Sequence, residues 1–187
     1  MITAEIMGRL GNQMFQIATA SSLAHDLNTF AVFPMGVVGA TPSNEERINY
    51  RKSILRNVKY ASDANQVMSY VKNIHYESEN FRYKKIPEKD FTLLSGYFQS
   101  EKYFIHNRGL IEDLFSPTEE INWYINNKYQ QLISRNDTVS VNIRRGDYLT
   151  KKYINHHGLM GVDYYNEAMK LFSNHQFVFF SDDIEWY

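Results

Sequence analysis

Arg144-Arg145-Gly146-Asp147 follows directly on the run Thr138 to Ile143. Val139, Val141 and Ile143 alternate with polar residues, which reads as a half-buried or buried strand. A double cation where such a strand opens into a loop is suited to ligand binding, because open α/β sheets bind ligands outside the carboxyl ends of their strands. A guanidinium offers a planar, permanently charged fork of donors, and two of them suit a phosphate. The same residues also read as a surface ion pair beside Asp147. Ser181-Asp182-Asp183 ends a second apolar run, Phe177 to Phe180. Carboxylates there can accept from guanine or ribose donors, cap a following helix, or ligate a divalent cation. A third candidate is Gly8-Arg9-Leu10-Gly11-Asn12, where the glycines permit tight turning and close backbone approach. Asn12 either caps the helix that follows or donates to a bound phosphate or sugar, and Arg9 either adds charge or is solvated. His156 and His157 lie in a loop with Lys151 and Lys152. They read as a solvated pair or as the source of a general base.

The elements that position these groups alternate in type. Ile2 to Met7 reads as a first strand, and Ala20, Leu23, Ala24 and Leu27 predict a helix from Asn12 to about Leu27. Phe30 to Phe33 predicts a second strand stopped by Pro34, followed by a long irregular stretch, 35–49. A helix is expected over 61–71 with Ser62 as its cap, an edge strand over 74–83, and a strand over 91–95 that turns at Gly96 into a short helix through Phe104. Ser116-Pro117-Thr118-Glu119 has the pattern of a helix start, continuing to about Ser134. Beyond the arginines, a loop to Gly161, a helix over 162–173 and a strand over 177–180 complete the order. Strands alternating with helices predict an α/β fold with a mostly parallel sheet. A boundary near 134–138 divides the chain into 1–135 and 136–187. The second part holds two strands, and a two-stranded sheet stands poorly alone. That half is expected either to pack on the first or to belong to a longer polypeptide.

Composition narrows the function classes. The 187 residues carry a net charge of -1, 43% hydrophobic and 22% charged residues, and no cysteine. These are values of a folded chain with no global basic field, so nucleic acid is not an expected partner. Thiolate catalysis, disulfides and cysteine-ligated metals are excluded, which is compatible with a cytoplasmic setting. No apolar run reaches the ~18 residues of a transmembrane helix, and the first residues lack the pattern of a signal peptide.

Four segments carry a resemblance. Gly8-Arg9-Leu10-Gly11-Asn12-Gln13-Met14-Phe15-Gln16, Gly96-Tyr97-Phe98-Gln99-Ser100-Glu101-Lys102-Tyr103-Phe104, Asn142-Ile143-Arg144-Arg145-Gly146-Asp147-Tyr148 and Phe180-Ser181-Asp182-Asp183 stand in this order along the chain. In kind and order they resemble the motifs of the α-1,2-fucosyltransferases of glycosyltransferase family 11. The resemblance implies a GT-B-like pair of Rossmann-type domains, with 1–135 on the acceptor side and 136–187 as the start of the GDP-sugar domain, apparently incomplete. It implies GDP-fucose as donor, inversion at the sugar carbon, a galactose-terminated glycan as acceptor, and neither a cofactor nor a metal. Peripheral association with the inner face of a membrane, through a lipid-linked acceptor, goes with bacterial members.

Carried over to these positions, Arg144 matches the family's essential arginine and is expected at the β-phosphate. Arg145 either positions the pyrophosphate or pairs with Asp147. Gly11, Asn12, Asn142, Asp147, Ser181, Asp182 and Asp183 complete the expected donor contacts. The sequence departs from the family pattern in two places. Asn142 stands where the family usually has histidine, which keeps hydrogen bonding but removes a titratable group. A serine- and tryptophan-rich nucleotide motif that the family carries after the Phe-Ser-Asp-Asp strand is lacking, and Trp186 follows the aspartates too closely to replace it. Two alternatives stay open: a shortened, non-catalytic module that binds nucleotide or glycan, and a related transferase using another GDP-sugar. The general base is not readable from the sequence.

Overall fold

The computed structural model describes residues 1–35, 50–78, 82–150, 154–155 and 158–186. Among these the chain forms two compact units, Met1–Glu119 and Glu120–Tyr187. The break expected at 135/136 therefore falls inside the second unit.

The first unit is built on strand β1 (Ile2–Ala4), all three residues of which are buried. A strand covered on both faces needs apolar or small residues at every position, not at alternate ones. β1 pairs in parallel with β5 (Thr92–Ser95), with Ile2 opposite Thr92 and Ala4 opposite Leu94. β5 pairs in parallel on its far side with β4 (Asn73–Tyr76), the edge strand anticipated from the sequence. On the other edge of β1, Ile2 bridges Ala31; its N–H donates to the Phe30 carbonyl at 2.9 Å, and its carbonyl accepts from Val32 N–H at 3.1 Å. This bridge leads to β2 (Phe33–Pro34), which pairs in parallel with β3 (Tyr60–Ala61). The three-stranded sheet thus reads β1-β5-β4, and the β2-β3 pair adjoins it through the isolated Ile2–Ala31 bridge.

Helix α1 (Leu10–Asp26) lays Gln16, Ile17, Ala20, Leu23 and Ala24 into the core. Ala20 and Ala24, one turn apart on the same face and both in the core cluster, let that face pack closely. It starts at Leu10, ahead of the Asn12 start read from the sequence. Gly8 makes the turn at φ 74, and Arg9 takes the extended cap position. A Cβ on Gly8 would meet Asn12 Nδ2 at 2.4 Å, so this position needs glycine for both φ and space. Helix α2 (Ala64–Ser69) is capped by Asp63, which accepts from Asn65 N–H at 2.8 Å; the expected cap, Ser62, does not serve. Helix α3 (Arg108–Leu114) ends near Ser116, whose hydroxyl and carbonyl accept from Arg56 in place of capping the next helix. Ile2, Ile17, Phe33, Leu55, Leu94 and Phe98 are the largest fully buried side chains of the core cluster.

In the second unit, the helix expected to run to Ser134 is divided into α4 (Glu119–Lys128) and α5 (Gln130–Ile133). Tyr129 leaves helical geometry at φ -118, ψ 22. Lys128 Nζ sits over the rings of Tyr124 and Tyr129, at 5.1 and 5.3 Å, on either side of this break. β6 (Thr138–Ile143) and β7 (Gln176–Ser181) pair in parallel over their full length, from Thr138–Gln176 to Ile143–Ser181, and α6 (Val162–Lys170) lies between them in sequence. Among the described residues of this unit, Ile143 alone is fully buried.

Gln16 is fully buried and joins two turns. Its Oε1 accepts from Met7 N–H at 3.0 Å and its Nε2 donates to the Gly96 carbonyl at 3.1 Å. Gln16→Leu keeps the volume but leaves both backbone groups without this partner. It is expected to destabilise the chain by about 2 kcal/mol in urea unfolding, and an unchanged midpoint would remove the bridge as a stabilising element.

Candidate functional site

β6 and β7 are parallel, so their carboxyl ends open on the same edge, and Arg144 and Asp182 follow the last paired residues, Ile143 and Ser181. Asp182 Oδ1 accepts from the backbone N–H of Arg145 at 2.8 Å. A Cβ on Gly146 would lie 2.5 Å from Asp182 Oδ2, so glycine is what lets this carboxylate approach the turn. The Arg145 side chain is only 15% exposed; its Nε donates to Asp183 Oδ2 at 3.0 Å. Its guanidinium lies 4.1 Å from the centroid of the Trp186 ring. Ser181 Oγ accepts from Asp183 N–H at 2.9 Å and so orients the residue that holds Arg145. Arg144 is exposed, with its guanidinium 4.5 Å from the centroid of the Tyr148 ring. The double arginine is thus divided into one side chain tied into the turn and one at the surface.

These contacts show where the structure places the candidate residues. Arg145 pairs with Asp183; the Asp147 side chain lies outside the described residues. Asp182 acts on the backbone of the arginine turn, and Ser181 caps Asp183. Asn142 is exposed near the end of β6, opposite Phe180. His156 and His157, with Lys151 and Lys152, lie outside the described residues. Among the described residues, no group of three or more histidines, aspartates or glutamates is placed to hold a metal ion.

In the first unit, the carboxyl ends of β1 and β5 bring the two glycine-containing segments together. Gln99 Nε2 donates to Asn12 Oδ1 at 2.6 Å, so Asn12, now the third residue of α1, bridges to the Gly96 turn and does not cap the helix. Gln13 Nε2 closes the first turn on the Gly8 carbonyl at 2.9 Å. Glu77, at the end of β4, accepts from Tyr97 N–H at 2.7 Å, and Ser95 donates to Glu5 Oε2 at 2.5 Å. Phe98 is held at φ 51 with its side chain fully buried. Gly11 is exposed on the first turn of α1, with open space where a Cβ would stand, so packing does not demand glycine there. The sequence reading missed Glu77 and the bridging role of Gln16. A polar residue on the apolar face of α1 was the available signal for Gln16, whereas nothing local marks Glu77.

A sequence profile described as Glycosyl transferase family 11 matches residues 1–187. The chain belongs to this family. As a family 11 member it is 29% identical over 209 aligned residues to an alpha-1,2-colitosyltransferase of Escherichia coli, covering 99% of this chain and 70% of that protein. It is 28% identical to the O-antigen biosynthesis glycosyltransferase WbnK of Escherichia coli, covering 97% of this chain and 72% of the relative. No solved structure matches the family 11 chain. None of its helices, among the described residues, is long and apolar enough to cross a membrane. Of the four segments that carried the resemblance, the arginine turn joins the third and fourth, and the glycine turns join the first and second.

The Arg145 amide, followed by the Gly146 amide and the charge of Arg144, holds the Asp182 carboxyl below the usual carboxylate range. A folded-state value below the unfolded one contributes stability above the unfolded pKa and loses it as pH falls through the folded one. The stability difference between the native chain and Asp182→Asn is therefore expected to be full at neutral pH and to be lost on acidification, as pH falls through and below the ordinary carboxylate range. Thermal unfolding across that range checks it, and a difference that grows on acidification would reverse the assignment.

Proposed function

We propose that this family 11 chain is an inverting, metal-independent transferase that moves L-fucose from GDP-fucose to the 2-hydroxyl of a galactose-terminated glycan. The observation that carries the reading is the arginine turn held at the ends of β6 and β7 by Asp182 and Asp183. Transfer breaks the bond between the sugar's anomeric carbon and a β-phosphate oxygen, and negative charge grows on the departing GDP. A cation already in place meets that charge without reorganisation. Arg144 takes this role, and a permanently charged fork can hold two phosphate oxygens at once. The acceptor hydroxyl attacks the opposite face of the sugar and loses its proton as the new bond forms, which inverts the carbon. In this reading the first unit serves the acceptor and the second the donor, in a GT-B-like arrangement. A lipid-linked acceptor would bring the chain to the inner face of a membrane.

A second donor is favoured by a specific observation, the likeness to an alpha-1,2-colitosyltransferase. Colitose is the 3-deoxy counterpart of L-fucose, so the two donors differ at one hydroxyl, and a pocket built to hydrogen-bond that hydroxyl would reject the sugar lacking it.

GDP release measured with GDP-fucose, GDP-colitose and GDP-mannose, each with a β-galactoside acceptor, discriminates the readings. Turnover with GDP-fucose is the expected result. Turnover with GDP-colitose alone moves the donor to the second reading, and nucleotide binding without any turnover makes the chain a binding module. Arg144→Lys, which keeps charge but loses the fork, is expected to lower kcat/KM about 100-fold. Full activity in that variant would take the β-phosphate role away from Arg144.

A further inference from the structure

We propose that Trp186 is a positioning residue: with Asp183 it clamps Arg145 as a fixed post, so that Arg144 alone is the arm delivered to a donor phosphate. The proposal rests on the donor reading above and assigns a division of labour within it. Arg145 is fixed at both of its ends. Its backbone N–H is held by Asp182 at 2.8 Å, and its Nε by Asp183 at 3.0 Å. The face of its guanidinium rests 4.1 Å from the Trp186 ring centroid. Trp186 is in turn edge-on to Tyr165 of α6, with centroids 6.1 Å apart, and Tyr165 is edge-on to Tyr164 at 5.3 Å. A guanidinium held by a carboxylate and stacked on an indole gains from both, because the ring face attracts cations and Arg stacks flat on it. All three anchors, Asp182, Asp183 and Trp186, come from the segment just beyond β7, whereas Arg145 comes from the segment beyond β6. The clamp therefore ties the two strand ends together one residue past Arg144. The position of the Arg144 Cα follows from that tie. Its guanidinium stacks on Tyr148, within its own turn.

The clamp makes Trp186 matter to phosphate binding without touching phosphate. Calorimetric titration of the full chain with GDP and with GMP separates these roles, since GMP lacks the β-phosphate. The native chain is expected to prefer GDP by about tenfold. Trp186→Ala is expected to lose that preference while binding GMP within about twofold of the native chain. Trp186→Phe, which keeps an aromatic face, is expected to retain it. Arg144→Met abolishes the preference, and adding Trp186→Ala to it costs nothing more, because both act through one contact. A preference kept in Trp186→Ala, or losses that add in the double variant, would overturn the positioning role while leaving the donor reading intact. A GMP affinity that falls together with GDP would show a general loss of fold and likewise overturn it. A flat GDP titration of the native chain would overturn the donor reading and the clamp's role with it. Trp123 and Trp186 are the two tryptophans of the chain, so Trp123→Phe leaves Trp186 as the sole emitter. In that background Arg145→Met is expected to shift the emission, and an unchanged spectrum would overturn the stacking itself.

Discussion

The arrangement of the second unit depends on carboxylates reaching across from one strand end to the next. Two parallel strands leave their last carbonyls and the following loops side by side, with no ladder left to hold them. Asp182 and Asp183 supply that hold, one on the backbone of the arginine turn and the other on its side chain. Charge-assisted hydrogen bonds are stronger than neutral ones, and here they act where backbone pairing has stopped. Without them, two adjacent guanidiniums would repel each other and the turn would have no reason to keep one conformation. With them, the Arg145 guanidinium is held in the turn, and that of Arg144 lies over the Tyr148 ring.

The two units rest on different sources of order. The first has a strand covered on both faces and a helix that lays Ile17, Ala20, Leu23 and Ala24 into the core, so apolar burial defines its register. The second has a single fully buried described residue, Ile143, in the strand that leads to the arginines. Its strands are set by parallel pairing, and its turns by the polar and aromatic contacts around Arg145. In the first unit, charged contacts such as Glu77 with Tyr97 N–H and Glu5 with Ser95 stand beside a buried apolar core, whereas the turns of the second have little burial behind them.

Much of the strand order was legible because burial writes itself into local periodicity. Val139, Val141 and Ile143 alternate as β6 requires, and the apolar run at Phe177 marks β7. The arginine turn was legible as a feature, because two cations after a strand are conspicuous. Its internal wiring was not. Arg145 and Asp183 lie 38 residues apart, and only the pairing of β6 with β7 brings them together. Asp147 is nearer along the chain, and nothing in the local sequence points to Asp183. Helix ends failed for a similar reason. Asp63 outcompeted Ser62 as a cap, and Ser116 was taken by Arg56 from a distant segment, so the residue types were right while the partners were decided by tertiary contacts. The break at Tyr129 has no local marker that we can name.

The Gln16 side chain joins the turn after β1 to the turn after β5 through a single amide. An amide reads its two partners by position, accepting at one end and donating at the other, and it has no length to spare. The segments around Gly8 and Gly96, far apart in the chain, are therefore mechanically one unit. A substitution that shifts the backbone of either turn is tolerated only when the other shifts with it. Lineages that vary at this edge of the sheet should vary at both segments together or at neither.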